Sequence, residues 1–336
     1  MSRISAFNIL ASIKLFCSKN KAPSASADSA ANPQFYIQKI ISIYTTLSQL
    51  TDLSPSAVTD ALFSDLVGTC ITIVPDLISK VVLGDSRVSS ILPDLRDICS
   101  NAEACMESHW AKAISSAGSS HHVLSTFPYC KNYEHLTRFE LAAISSTGFA
   151  LSPLTKVAFI GSGPMPLTSL CILSALSSSN HMDCILSNDP SIPSLELPQI
   201  PSPPSPTVVM NIDCNRIANE QAQQICTSLG GLPAIGMKFI TGMAGEDACD
   251  LSGYDIVWLA ALVGGIQEDK EAIVQKIAAK MKKGSLLVMR GAWGLRSVLY
   301  CDFDVTTPAI TANLEICVRM DPFGDVVNSV IVGRVK

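Results

Sequence analysis

Phe159-Ile160-Gly161-Ser162-Gly163-Pro164-Met165-Pro166-Leu167-Thr168 is the stretch on which the fold is decided. An apolar run over residues 157–161 enters two glycines separated by one residue, and a helical pattern over 167–176 leaves them. A strand ending in Gly-x-Gly lets the main chain pass close to a ligand, because neither glycine projects a Cβ. Strand, glycine turn and helix together form the opening unit of a parallel α/β sheet.

The pattern repeats downstream. Residues 207–213 read as a second strand ending in an acid, Asp213, and Arg216–Leu229 as a second helix. Met237–Thr241 and 254–260 read as strands three and four, 271–281 as a helix, 285–289 as strand five, and 316–335 as two more strands. Strand alternating with helix implies a mainly parallel, doubly wound, Rossmann-like sheet over 151–336. Its 190–206 segment is rich in Pro and Ser, lacks backbone donors and reads as a loop insert. Upstream the period changes. Ile37, Ile41, Tyr44 and Leu47, then Ile91, Leu95, Ile98 and Ala102, stand three or four apart, so 35–150 reads as an all-helical N-terminal domain.

Composition limits the class of function. With 48% hydrophobic and 16% charged residues the chain has the makings of a folded body. A net charge of −5 and no basic block argue against nucleic acid as a partner. No apolar run approaches the ~18 residues of a membrane span. The twelve cysteines include no C-x-x-C pair and fall singly in apolar stretches, as buried small hydrophobes do in a reducing compartment. Residues 1–27 carry Arg3, Lys14, Lys19 and Lys21 and no acid before Asp28, a transit-peptide composition short of arginine. A disordered leader over 1–34 and a cytoplasmic location are the expectation, with mitochondrial targeting as the alternative.

Candidate chemistry clusters at the carboxyl ends of strands, where open α/β sheets hold ligands. Gly161, Ser162, Gly163 and Pro164 form the turn, and Asp213 is placed to accept hydrogen bonds from a ribose diol. Pro166 occupies the third glycine position of a dinucleotide fingerprint. That crowds a pyrophosphate but not a nucleoside without phosphates, such as S-adenosylmethionine. Ala244, after the third strand, and Ala260, Ala261 and Leu262, after the fourth, would flank the same ligand. Arg290 and Arg296, after the fifth, are suited to gripping a substrate carboxylate, and Tyr300 follows them. In the helical half Glu103 and Glu107 share one helix face, an arrangement that favours a nearby cation. Tyr129 and Tyr133 follow a proline downstream. His109, His121 and His122 lack the acid or cysteine companions of a metal site, and no metal is expected.

Taken in order, these motifs resemble the nicotianamine synthase family. The resemblance rests on Ala102-Glu103…Glu107-Ser108-His109, Phe127-Pro128-Tyr129…Asn132-Tyr133, the G-S-G-P-x-P-L-T turn, Ala260-Ala261-Leu262-Val263-Gly264, Arg290…Gly294…Arg296…Leu299-Tyr300 and Val327-Asn328-Ser329-Val330. It implies a class I methyltransferase-type sheet capped by the helical domain, with S-adenosylmethionine as substrate and no metal required. It also implies repeated transfer of the 3-amino-3-carboxypropyl arm, closure of an azetidine ring, and release of nicotianamine and methylthioadenosine. By match to the family's motif Glu107 is the base and Tyr133 its hydrogen-bonding partner, with Glu103 and Tyr129 as a second pair. Arg296 and Arg290 would hold the substrate carboxylate, and Tyr300 would line the pocket. Cys130 departs from the pattern, standing where an aromatic residue is usual.

Two other activities fit parts of this pattern. A small-molecule methyltransferase shares the glycine turn and Asp213 but has no use for the helical glutamates and tyrosines. An opine-metallophore synthase using another amine acceptor would carry much the same motifs. The missing third glycine disfavours an NAD oxidoreductase, and a degenerate, non-enzymatic member would have lost the glutamates. The oligomeric state is not legible in the sequence.

Overall fold

A computed structural model describes residues 32–177, 207–243, 245–246, 249–322 and 324–336. Most of the expected leader, the 190–206 insert and Ala244 lie outside the described residues. The first helix among the described residues, α1 (Pro33–Leu47), begins within the stretch expected as leader, because Asn32 caps it by accepting from the Gln34 N–H and Pro33 supplies the first turn. Then come α2 (Ala57–Cys70), α3 (Asp76–Gly84), α4 (Ser86–Ser89), the long α5 (Leu92–Ser115), α6 (Ser120–Ser125) and α7 (Cys130–Ser146).

The sheet has seven strands: β1 (Val157–Ile160), β2 (Val209–Asp213), β3 (Met237–Thr241), β4 (Ile256–Leu259), β5 (Leu286–Gly291), β6 (Leu314–Met320) and β7 (Ser329–Val335). Their order is β3-β2-β1-β4-β5-β7-β6. The first five run parallel, and β7 enters antiparallel between β5 and β6. This is the class I methyltransferase-type, Rossmann-like α/β fold. Between the strands run α8 (Leu167–Ser177), α9 (Arg216–Leu229), α10 (Gly231–Ala234), α11 (Gln267–Ala278) and α12 (Pro308–Thr311). Helix α11 starts four residues before its apolar periodicity suggests. Its first turn holds Glu268 and Asp269, which suit a helix N-terminus but blur the apolar pattern.

Period-two alternation sends the central strands into two cores. Val157, Phe159, Trp258, Val288 and Val332 face one way, packing with Leu170 and Leu173 of α8 and Ile144 of α7. Ala158, Ile160, Val257, Leu259, Leu287 and Ile331 face the other way, against Val274 and Ile277 of α11. A third core joins Ile37, Ile40, Leu66, Val82 and Leu95 of the helical half to Leu295, Val298 and Leu299. The last three lie in or just after a 3-10 turn (Gly294–Val298) that follows β5. Truncating one of these fully buried Leu or Ile residues to Ala costs about 2–5 kcal/mol.

Helix α5 spans both halves. Leu95, near its start, belongs to the helical core, whereas Ala111 and Ile114, near its end, belong to the sheet core beside α9. Gln221 of α9 donates to the Ser108 hydroxyl at 2.8 Å and fixes the crossing. The middle of α5, with Glu103 and Glu107, therefore lies over the glycine turn at the end of β1.

Candidate active site

The strand order reverses between β1 and β4, and there the ends of parallel strands part to leave a crevice. Gly161 and Gly163 have φ of 78° and 66°, left-handed values that strain any residue with a Cβ. Space is closed to a side chain as well. A Cβ on Gly161 would lie 2.6 Å from Val263 Cγ2 and 3.1 Å from the Ala260 Cβ; one on Gly163 would lie 2.7 Å from Glu107 Oε2. The two glycines thus press the turn against the loop after β4 on one side and against α5 on the other.

Asp213, at the end of β2, steadies this turn. Its Oδ2 accepts from the Gly163 N–H at 2.9 Å and its Oδ1 from the Asn215 N–H at 2.8 Å. A carboxylate accepts about four hydrogen bonds, so capacity remains for a ribose diol. The Ser162 hydroxyl, buried in the same turn, has no hydrogen-bond partner among the described residues. Closely approached main chain, an acid at the end of β2 and an unpartnered hydroxyl fit a nucleoside without phosphates. Pro164 and Pro166 are buried and stiffen the exit into α8. Ala260 donates its N–H to the Ile160 carbonyl at 3.0 Å, Ala261 is buried and Leu262 is partly exposed.

Above the turn stand two acid–tyrosine pairs one helical turn apart. Tyr133 donates to Glu107 Oε1 at 2.5 Å, and Tyr300 donates to Glu103 Oε2 at 3.1 Å. Burial, above all, pushes the Glu107 carboxyl up to about 8, with further upward push from Glu103 and Asp213; the Tyr133 hydrogen bond and Arg290 act the other way. Burial also raises Glu103, against the Tyr300 hydrogen bond and Arg290. Both tyrosines are pushed well above their usual range, chiefly by burial, and so keep their protons as donors. A carboxyl that titrates near neutrality in a cleft is the equipment of a general base.

Tyr129 does not make the expected pair with Glu103, which takes its hydrogen bond from Tyr300. The Tyr129 ring instead stands edge-on to Phe127, with centroids 5.9 Å apart. The residue lies just before the first turn of α7, and Tyr133 one turn on is the one that reaches α5.

The two arginines, Arg290 near the end of β5 and Arg296 beyond it, are not the free clamps expected from their position. Arg290 donates to both carboxylate oxygens of Glu140 at 2.7 and 3.2 Å and to the Thr168 hydroxyl at 3.0 Å, with its guanidinium 5.4 Å from the Phe159 ring centre. Arg296, almost wholly buried, donates to the carbonyls of Val326 at 3.2 Å and Gly324 at 3.1 Å. Each is taken up in joining segments: Arg290 ties β5 to α7 and α8, and Arg296 ties the 3-10 turn to the 324–326 loop. Position along a strand indicates the end of the sheet; it does not give the direction of a long side chain.

Glu140 was invisible to sequence reading, although an acid between Phe139 and Leu141 in an apolar helix is the kind of residue that needs a buried partner. Lys270 was missed for the opposite reason, because it sits among acids in a helix start that looks solvated.

Comparison with known proteins identifies the family and the fold. The family model described as "Nicotianamine synthase protein" matches residues 29–336. Nicotianamine synthase of Solanum lycopersicum is 32% identical over 298 residues, covering 89% of this chain and 83% of that protein. Nicotianamine synthase 2 of Oryza sativa subsp. japonica is 31% identical, covering 89% and 82%. The crystal structure of a mutant of MtNAS in complex with S-adenosylmethionine superposes with a TM-score of 0.69 at 18% identity, covering 89% of this chain and 98% of that one. MtNAS in complex with MTA and tNA aligns with the same TM-score, 0.69, so the likeness in fold spans both halves of this chain. By the match along nearly its whole length, the chain belongs to the nicotianamine synthase family.

Proposed function

We propose that this transferase holds S-adenosylmethionine on the glycine turn and passes its 3-amino-3-carboxypropyl group to an amine presented beneath Glu107. Repetition and closure of an azetidine ring then yield nicotianamine, with methylthioadenosine leaving at each transfer and again as the ring nitrogen attacks the last γ-carbon. The observation that carries the assignment of roles is the approach of Glu107 to Gly163. It puts a base with a raised pKa directly over the nucleoside turn, and a methyl transfer gives no reason for two acid–tyrosine pairs there.

S-adenosylmethionine supplies an electrophilic carbon next to a sulfonium leaving group. The protein has three tasks around it. Asp213 and the glycine main chain hold the nucleoside so that the γ-carbon, not the methyl, faces the amine; positioning decides which bond breaks. Glu107 takes the proton that the attacking nitrogen must lose, as the N–C bond forms and the C–S electron pair goes to sulfur. Tyr133 fixes one Glu107 oxygen, leaving the other, already beside Gly163, to face the crevice. Glu103 and Glu107 also favour the cationic sulfonium and ammonium groups beneath the cap.

Arg290 and Arg296 serve this site as framework. The ten described free cysteines suit a reducing, cytoplasmic setting, and among the described residues no helix is long and apolar enough to cross a membrane. Incubating the purified protein with S-adenosylmethionine alone and analysing the products by mass spectrometry tests the proposal. Nicotianamine with methylthioadenosine supports it. Methylthioadenosine without nicotianamine points to another acceptor amine, and S-adenosylhomocysteine defeats the assignment.

A further inference from the structure

Lys270, in the first turn of α11, is 1% exposed, and its ammonium hydrogen-bonds to backbone rather than to a carboxylate. Nζ donates to the Ala261 carbonyl at 3.1 Å and to the Arg290 carbonyl at 3.2 Å, and lies 5.7 Å from the centre of the Phe303 ring. Desolvation lowers its pKa to about 8, so at neutral pH the group is still mostly charged. A buried cation held, among the described residues, by carbonyls and a ring face is costly unless its place matters.

Its place is just past the end of the β4–β5 ladder, one strand over from the crevice between β1 and β4. The β4–β5 ladder ends at Leu259↔Met289, and the two carbonyls that Lys270 grips lie just beyond that last pair. Where the strands stop bonding to one another, one side chain replaces the missing rung. The loop after β4 is then pressed between two close contacts. On one side Gly264, with φ 85°, folds onto α11 so closely that a Cβ there would lie 2.9 Å from Lys270 Cα. On the other side Ala260 and Val263 stand against Gly161 with no room for a Cβ. Lys270, the loop after β4 and the glycine turn form one stack.

We infer that Lys270 is a positioning residue for S-adenosylmethionine: it clasps the parted ends of β4 and β5 and so sets the loop after β4 against the glycine turn. The inference rests on the proposed S-adenosylmethionine site. Lys270 touches no substrate, so its loss acts on binding of the nucleoside and leaves the acid–tyrosine chemistry in place.

The test is Lys270→Met, which keeps the volume but frees both carbonyls. The readouts are steady-state kinetics and calorimetric binding with S-adenosylmethionine. KM and Kd for S-adenosylmethionine are expected to rise about tenfold, because only part of the loss of the two charge-assisted hydrogen bonds is felt at the nucleoside, while kcat at saturation stays within about threefold. Gly264→Ala provides a second variant should Lys270→Met fail to fold. It strains the same joint with the ammonium intact, and the same rise in KM is expected. Unchanged KM and Kd in either folded variant, or a tenfold fall in kcat at constant KM, overturns the inference. Wild-type protein that binds no S-adenosylmethionine overturns the proposed function, and the inference with it.

Discussion

Replacing Glu107 by glutamine keeps the shape of the side chain and an oxygen to accept from Tyr133, and removes only the ability to take a proton. The free-enzyme carboxyl titrates at about 8, so at pH 7 only about a tenth of the wild-type molecules carry the base form. The wild-type kcat/KM should accordingly rise about tenfold per pH unit below 8 and level off above it. Glu107→Gln should lose roughly 10²–10⁴-fold in rate and flatten that limb. Stability should change in a linked way. The folded-state pKa lies above the unfolded value of 4.5, so the stabilising effect of the neutral acid is complete below 4.5 and is lost as pH rises towards 8. The loss is on the order of 4 kcal/mol, and glutamine does not suffer it. The variant should therefore melt at nearly the wild-type temperature at pH 4.5 and several degrees above it at pH 8.5. Methylthioadenosine release across pH 5.5–9.5, with thermal melts on the same samples, measures both effects. A variant that keeps more than about a third of wild-type activity, or the same pH limb, refutes Glu107 as the base. A melting gap that does not change with pH refutes the buried, raised carboxyl.

Tyr133→Phe removes the hydrogen bond that favours ionised Glu107, so the activity limb should move to higher pH and the rate at pH 7 should fall, as a pH profile would show. Gly163→Ala adds about 1–2 kcal/mol of left-handed strain and a methyl 2.7 Å from Glu107 Oε2. S-adenosylmethionine affinity and turnover should both drop, by calorimetry and product assay. Arg290→Met leaves the buried Glu140 side chain without its ion-pair partner and should cost about 3–5 kcal/mol in denaturant unfolding. The double change with Glu140→Gln should recover much of that loss; equal loss in the double variant would show that the pair is not what holds α7 to β5.

The sequence alone determined the order of elements and the chemistry of the ligand turn. Gly161, Gly163 and Asp213 are local signals: backbone conformation and strand-end position follow from residue type and spacing, and the structure places all three together. The i,i+4 spacing likewise put Glu103 and Glu107 on one face of α5. The central strands β1, β4 and β5 were legible because they are buried on both faces, which makes each of them a short apolar run between turn residues.

Tertiary structure alone decided which groups meet. Glu103 and Tyr300 are 197 residues apart, and Glu140 and Arg290 150 apart, so no local rule pairs them. Two arginines that read as substrate clamps proved to be bound inside the framework, and Lys270, which no motif in the sequence marks, proved to be buried between strand ends. The reason is physical: a long charged side chain can reach in several directions from the same backbone position. Only the packing of neighbouring elements determines whether it meets solvent, substrate or the carbonyl of a strand that has lost its partner.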